Sequence, residues 1–203
     1  MKMNYQLETD KCISSLLPEQ KPSLLLQSCC GPCSSYVLEY LTQFFDVTVL
    51  FYNPNIQPEA EYEKRLHYQR EVLQHIPAKL MDCGYDGAAF DGIAAGYESE
   101  PEGGARCTRC FLLRLEETAK RAAAGGFDYY CTTLTVSPHK DAQRINRIGR
   151  EMGEKYGVQW LPSDFKKRNG YLRSIQLAKE FALYRQDWCG CSYSQQSPDE
   201  PMD

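Results

Sequence analysis

The sequence predicts an α/β domain in which a parallel sheet carries helices on both faces. Three observations lead there. Segments rich in β-branched and aromatic residues alternate with amphipathic segments along most of the chain. The strand-like segments close in turn signals, Cys29-Cys30-Gly31-Pro32 and Asn53-Pro54-Asn55 among them. The 203 residues, 42% of them hydrophobic, suffice for one buried core and argue against a disordered chain.

Residues 1–22 form an N-terminal extension with a polar start. Residues 23–28 are a short apolar strand ending in the Cys-Cys-Gly-Pro turn. Pro32 suits the first turn of a helix, which Tyr36, Val37, Tyr40, Leu41 and Phe44 continue as a stripe. Residues 46–52, β-branched and aromatic, make a second strand. Residues 58–75 predict a charged amphipathic helix and 78–81 a third strand. Residues 83–105, rich in Gly and acidic side chains, predict a long functional loop with about one helical turn. A helix over 110–124 carries Leu112, Leu115, Ala119 and Ala122 on one side and stops at Gly125-Gly126. A fourth strand over 129–133, a helix over 141–156, a short strand over 159–161 and a last helix over 173–185 complete the pattern. The expected organisation is therefore the extension, one domain over 23–191 with a C-terminal helical part, and a polar, partly disordered tail over 192–203. In such sheets the ligand lies beyond the C-terminal strand ends. Cys29, Cys30, Cys33, Asn53, Asn55, Thr132 and Thr133 all fall there.

Composition narrows the function. A net charge of −4 excludes a wholly basic nucleic-acid coat but leaves room for local patches. Arg144, Arg147 and Arg150 at helical spacing are one; Lys166-Lys167-Arg168 with Arg173 is another. Taken alone, each is more simply a solvated face. No apolar stretch approaches a membrane span, and the polar start lacks the apolar core of a secretory signal. The cytoplasm is the expected compartment, with no membrane partner. There, ten cysteines do not make a structural disulfide framework.

The cysteines carry the chemistry. Cys29, Cys30 and Cys33 form one tight group, Cys107 and Cys110 a second, Cys189 and Cys191 a third. Thiolates so close repel one another unless a metal or a disulfide takes up the charge. The spacing differs from that of a zinc ribbon, and the adjacent pair Cys29-Cys30 is unusual for a zinc knuckle. An iron–sulfur cubane offers separate corners to neighbouring cysteines. Iron–sulfur cluster, zinc and metal-free thiol redox chemistry all stay open on these grounds. A disulfide across Cys189-Gly190-Cys191 closes a very small ring, so it is easily reduced and better suited to catalysis than to structure.

Motifs along the chain resemble the QueH family of epoxyqueuosine reductases. They begin with Cys29-Cys30-x-Pro32 and Tyr52-Asn53-Pro54-Asn55-Ile56. Glu61-Tyr62-x-x-Arg65, Arg106-Cys107-x-x-Cys110-Phe111, Arg114-Leu115 and Thr132-Thr133-Leu134 follow. Ser137-Pro138, Phe165-Lys166-Lys167, Arg173-Ser174, Tyr184-Arg185-Gln186 and Cys189-Gly190-Cys191 complete the set. The resemblance implies a Rossmann-like domain of the HUP type. It implies a [4Fe–4S] cluster on Cys29, Cys30, Cys107 and Cys110, a second, mononuclear metal ion (iron) nearby, and a redox-active disulfide at Cys189 and Cys191. Family members can carry Asp where this chain has Cys33, a position implicated in the second metal. The implied reaction reduces the epoxide of epoxyqueuosine to queuosine at the wobble base of tRNA, with an unidentified electron donor.

In that context Lys166, Lys167 and Arg173 become expected phosphate contacts. Asn53, Asn55, Thr132, Ser137 and Arg185 become expected contacts to the base or the anticodon loop. His139 is a candidate proton donor. A tRNA-thiolating enzyme of the same fold class is a rival, but it needs a Gly/Ser-rich phosphate loop where the Cys-Cys-Gly-Pro-Cys turn stands. A non-catalytic metal-binding nucleic-acid module is the other rival, and it has no use for the Cys189/Cys191 pair.

Overall fold

The computed structural model describes residues 3–17 and 19–194. Five strands, β1 (Ser23–Gln27), β2 (Asp46–Phe51), β3 (Lys79–Asp82), β4 (Tyr129–Thr132) and β5 (Gln159–Trp160), form one parallel sheet in the order β3-β2-β1-β4-β5. The winding reverses between β1 and β4, which makes their C-terminal ends the topological switch point. Gln27 is in register with both Leu50 and Thr132, so the three central strands finish level. Leu24, Leu25 and Leu26 are wholly buried, as a central parallel strand covered on both faces requires. Leu24 and Leu26 pack with α2 (Gly31–Leu41), α3 (Glu59–His75) and α7 (Gly170–Glu180). Leu25 points to the opposite layer, among α5 (Ala105–Ala124) and α6 (Ala142–Tyr156).

Four elements differ from the sequence expectation. A helix, α1 (Tyr5–Ser14), occupies the extension, and its buried Thr9 hydroxyl donates to the Pro162 carbonyl oxygen at 2.7 Å. The acidic, glycine-rich segment contains a helix of two turns, α4 (Gly87–Ala94), capped by the Asp86 side chain. Helix α5 starts at Ala105, earlier than the apolar stripe suggests, and α7 runs Gly170–Glu180 rather than to Arg185. Residues 192–194 form a single 3-10 turn, and the rest of the expected tail lies outside the described residues. Among the described residues no helix is long and apolar enough to cross a membrane.

Candidate metal and thiol centre

The turn after β1 builds the first thiol group. Cys30 is the extended N-cap of α2, and Cys33 sits in that helix's first turn. A Cβ on Gly31 would meet the Tyr68 carbonyl oxygen at 2.6 Å, so only glycine lets α2 approach α3 this closely. Cys29 is tied to the end of β4: its N–H donates to the Thr133 hydroxyl at 3.2 Å, and its Sγ lies 3.5 Å from the same oxygen. The sulphurs of Cys29, Cys30 and Cys33 all lie within 4.8 Å of one another.

The second pair is on a helix, not in front of one. Cys107 and Cys110 occupy the first turns of α5, one above the other. Both stand outside the tight triad, but they line the same cavity of about 1150 Å³ as Cys29 and Cys33. The Gly103 N–H donates to the Cys107 sulphur at 3.2 Å. The N-termini of α2 and α5 thus both bring cysteines to this cavity, where helix dipoles favour thiolate over thiol.

Charge shows what the cavity fits. Hydrogen bonds from Cys30 and Cys33 hold the Cys29 thiol well below its ordinary range against the opposing effect of burial, with Arg114 and Thr133 adding to the shift. The Cys29 thiolate in turn pushes Cys30 up to about 12 and Cys33 upward. The triad therefore carries one negative charge unaided, and further thiolates need a cation beside them. Burial pushes Cys110 up to about 11. Around them lie two buried guanidinium groups. Arg114 donates to the Asn53 side-chain oxygen at 2.7 Å, and Arg106 to the carbonyls of Tyr97, Glu98 and Glu100 at 2.9, 2.9 and 2.6 Å. These partners are neutral, and both Nε atoms are buried without any partner. With the Cys29 thiolate as the one anion of the triad beside two buried cations, the cavity favours further negative charge. A cluster held by thiolates alone meets that need, and a donor set of sulphur suits iron–sulfur or zinc rather than a hard cation.

The third pair reaches this cavity from the end of the chain. Cys189 and Cys191 line it, and Cys191 packs against Phe90, Ala94 and Cys110. All ten cysteines are free thiols here, with 3.8 Å between the sulphurs of Cys189 and Cys191. A hydrogen bond from Cys191 draws the Cys189 thiol well below its ordinary range, burial opposes it, and the charge of Lys140 adds to it. Cys191 is driven upward by the same contact. The reduced pair is thus one thiolate and one thiol. Burial works against the charge of Lys140, but the Cys189 thiolate and Glu102, at 3.0 Å, outweigh it and raise its pKa.

The other expected site residues divide. Asn55, Ser137, His139 and Arg185 line the cavity. The Asn55 side-chain oxygen is buried without a partner, while His139 and Arg185 are exposed. Asn53 and Thr132 do not line it. The Asn53 amide donates to Ser28 and accepts from Gln27 and Arg114, and the Thr132 hydroxyl donates to Gln27 at 2.7 Å, so both brace the strand ends. Of the expected phosphate contacts, Lys166 is paired with Asp164, and Arg173 is forked onto Glu39 and also meets Glu180. Neither lines the cavity, and their charge is already matched. Lys167 is exposed and has no ion pair among the described residues. Arg65, Arg106, Arg114, Lys140, Gln186 and Trp188 also line the cavity, although no role was expected of them. The signal for the arginines was present, since each sits within a matching motif next to apolar neighbours.

Comparisons with known proteins show the family of the chain. The family model described as "Epoxyqueuosine reductase QueH" matches residues 24–197. A protein of Streptococcus pyogenes serotype M1 named "Epoxyqueuosine reductase QueH" is 45% identical over 180 residues, covering 86% of this chain and 71% of that one. A protein of the same name from Staphylococcus epidermidis is 42% identical over 202 residues, covering 95% and 85%. A solved structure, "U34-tRNA thiolase NcsA from Methanococcus maripaludis with its [4Fe-4S] cluster", superposes with a TM-score of 0.59 at 10% identity, over 95% of this chain and 67% of that one. That likeness speaks for the fold alone. With its parallel α/β fold, its thiol-lined cavity and its family match over most of its length, the chain belongs to the QueH family of epoxyqueuosine reductases.

Proposed function

We propose that this protein removes the epoxide oxygen of epoxyqueuosine at the wobble base of a tRNA anticodon loop, giving queuosine and water. The observation that carries the reading is that Cys29, Cys33, Cys107 and Cys110 share one cavity with Cys189 and Cys191. The reaction balances on these groups. Epoxide, two electrons and two protons give alkene and water, and two thiols becoming one disulfide release two electrons and two protons. An external donor, whose identity stays open, then returns the disulfide to the dithiol.

Cys29, Cys30, Cys107 and Cys110 would hold a [4Fe–4S] cluster, and Cys33 would offer a sulphur to a second, mononuclear iron. When bound, such a cluster supplies single electrons and a Lewis-acidic iron. The chain's own groups do the rest. Arg106 and Arg114 balance the negative charge of the thiolates. Phe90, Phe111, Leu134 and Val136 line the cavity and exclude water from it. The unpartnered Asn55 oxygen accepts from a substrate hydroxyl or amino group. The Cys191 hydrogen bond, with the charge of Lys140 adding to it, favours the Cys189 thiolate, and Lys140 and His139 offer protons to the departing oxygen. A flipped base reaches such a cavity from a single-stranded loop. Exposed Arg185 and Lys167 then face phosphates. A tRNA substrate also fits the expectation of a cytoplasmic protein.

The test is a single turnover. Anaerobically purified, prereduced protein is mixed with an anticodon stem–loop carrying epoxyqueuosine, and the digested nucleosides are read by mass spectrometry. Conversion to queuosine with loss of two thiols per product is expected. An unchanged epoxide with a fully loaded, reduced protein would sink the reading.

A further inference from the structure

Gln186 lies between α7 and the Cys189-Gly190-Cys191 pair. Its Nε2 donates to the Sγ of Cys30 at 3.0 Å. Its Oε1 is buried without a partner, and the side chain lines the cavity. Charge fixes which way the amide faces. A Cys30 sulphur that ligates a cluster has no proton, so it accepts from an N–H and repels a carbonyl oxygen, and the reverse orientation would then set two electron-rich atoms together. Cys30 is wholly buried. The side chains of Cys29, at 3.9 Å, and Cys33 also meet this sulphur. The Gln186 amide thus brings a side-chain nitrogen donor to this sulphur, beside the Cys33 backbone N–H that also bonds it.

We propose that Gln186 is a positioning residue that sets the reduction potential of the cluster through its N–H···S bond to Cys30. The proposal rests on the cluster reading given above. An added electron raises the negative charge on the ligating sulphurs. A donor bond to one of them therefore stabilises the reduced state more than the oxidised one and moves the potential upward. No proton or electron crosses the amide; it acts through Cys30 alone. The direction suits the neighbouring chemistry, because Gln186 stands three residues before Cys189, and a higher cluster potential favours electron flow from that dithiol.

The experiment compares anaerobic holoprotein of wild type, Gln186→Leu and Gln186→Glu. Iron and sulfide content, far-UV circular dichroism and the midpoint potential are measured on each. Both variants are expected to keep the fold and the cluster. Gln186→Leu should lower the reduced-to-oxidised ratio at a fixed potential about tenfold, a shift of about 59 mV for a one-electron couple. Gln186→Glu, with a negative charge at the same place, should shift further in the same direction. An unchanged potential in Gln186→Leu with full iron overturns the proposal. So does loss of iron from both variants, which would make the amide part of the holding structure. A wild-type protein without iron and sulfide overturns the cluster reading itself, and that result is seen before either variant is compared.

Discussion

Arg65 donates from Nη1 to the carbonyl oxygen of Cys189 at 3.1 Å, joining residues 124 positions apart. The same guanidinium donates to the Trp188 carbonyl at 3.4 Å and, through Nε, to Glu61 at 2.6 Å, and its side chain is 2% exposed. Helix α3 thereby fixes the backbone of the dithiol. Gly190 completes the fit. Its φ is +107°, and a Cβ there would meet Arg65 Nη1 at 2.9 Å. Its carbonyl oxygen accepts from the Gln57 N–H at 2.9 Å.

Replacing Arg65 by Met should therefore cost more than a surface charge. It leaves Glu61 half of a broken, largely buried pair and two carbonyls without donors. The expected loss is about 3–5 kcal/mol. Thermal unfolding should show it, and alkylation of Cys189 and Cys191 in the folded variant should quicken as their segment loosens. A melting temperature equal to that of wild type would mean that the pin carries no load.

Cys189→Ser and Cys191→Ser should each keep wild-type iron content and lose multiple turnover. Both cysteines share the cavity with Cys29, Cys107 and Cys110, so proximity alone does not exclude them as ligands. Iron and activity measured side by side decide. Loss of iron would assign the pair to the metal, and full turnover would make it incidental.

The pair should also show its charge asymmetry in a pH profile. Cys189 lies below the ordinary thiol value of about 8.5, so its alkylation in reduced protein should persist as pH falls below that value. Lys140→Met removes a nearby positive charge and should move the profile upward in pH, slowing alkylation at neutral pH. The sign for stability follows. A depressed folded-state pKa contributes fully above the unfolded thiol value and is lost as pH falls through the folded one. The stability gap between wild type and Cys189→Ser should therefore narrow on acidification. Overlapping profiles for wild type and Lys140→Met would remove Lys140 from this role.

The sheet was legible because each strand is a short apolar run closed by a turn signal, as at Leu24-Leu25-Leu26 before Cys29. What escaped has physical reasons. The stripe of α5 becomes visible only at Leu112, because its first turns carry Arg106, Cys107 and Cys110, whose burial serves the cavity rather than the core. Helix α4 is short and made largely of Gly and Ala, so it carries little periodic signal. Asn53 has the composition of a turn residue, yet its amide is spent on Ser28, Gln27 and Arg114. Arg173 offered a free charge in the sequence because Glu39, its partner, lies 134 positions away. Long-range pairing of this kind leaves no local pattern.

That pairing reshapes the expected path of the RNA. Lys166, Arg168 and Arg173 already face Asp164, Asp10 and Glu39. Arg185 and Lys167 are exposed and form no ion pair among the described residues, and Arg185 lines the cavity. Each phosphate neutralised adds roughly −0.7 to −0.9 to the slope of log affinity against log salt. The double variant Lys167→Ala, Arg185→Ala should flatten that slope for an anticodon stem–loop by roughly 1.4 to 1.8. Arg173→Ala should leave it close to wild type, because its carboxylate partners already hold the charge. Both comparisons are made by titration at several salt concentrations, with the visible spectrum as a check on the metal centre. A slope unchanged in the double variant, or flattened as much by Arg173→Ala, would place the phosphate track on another face of the protein.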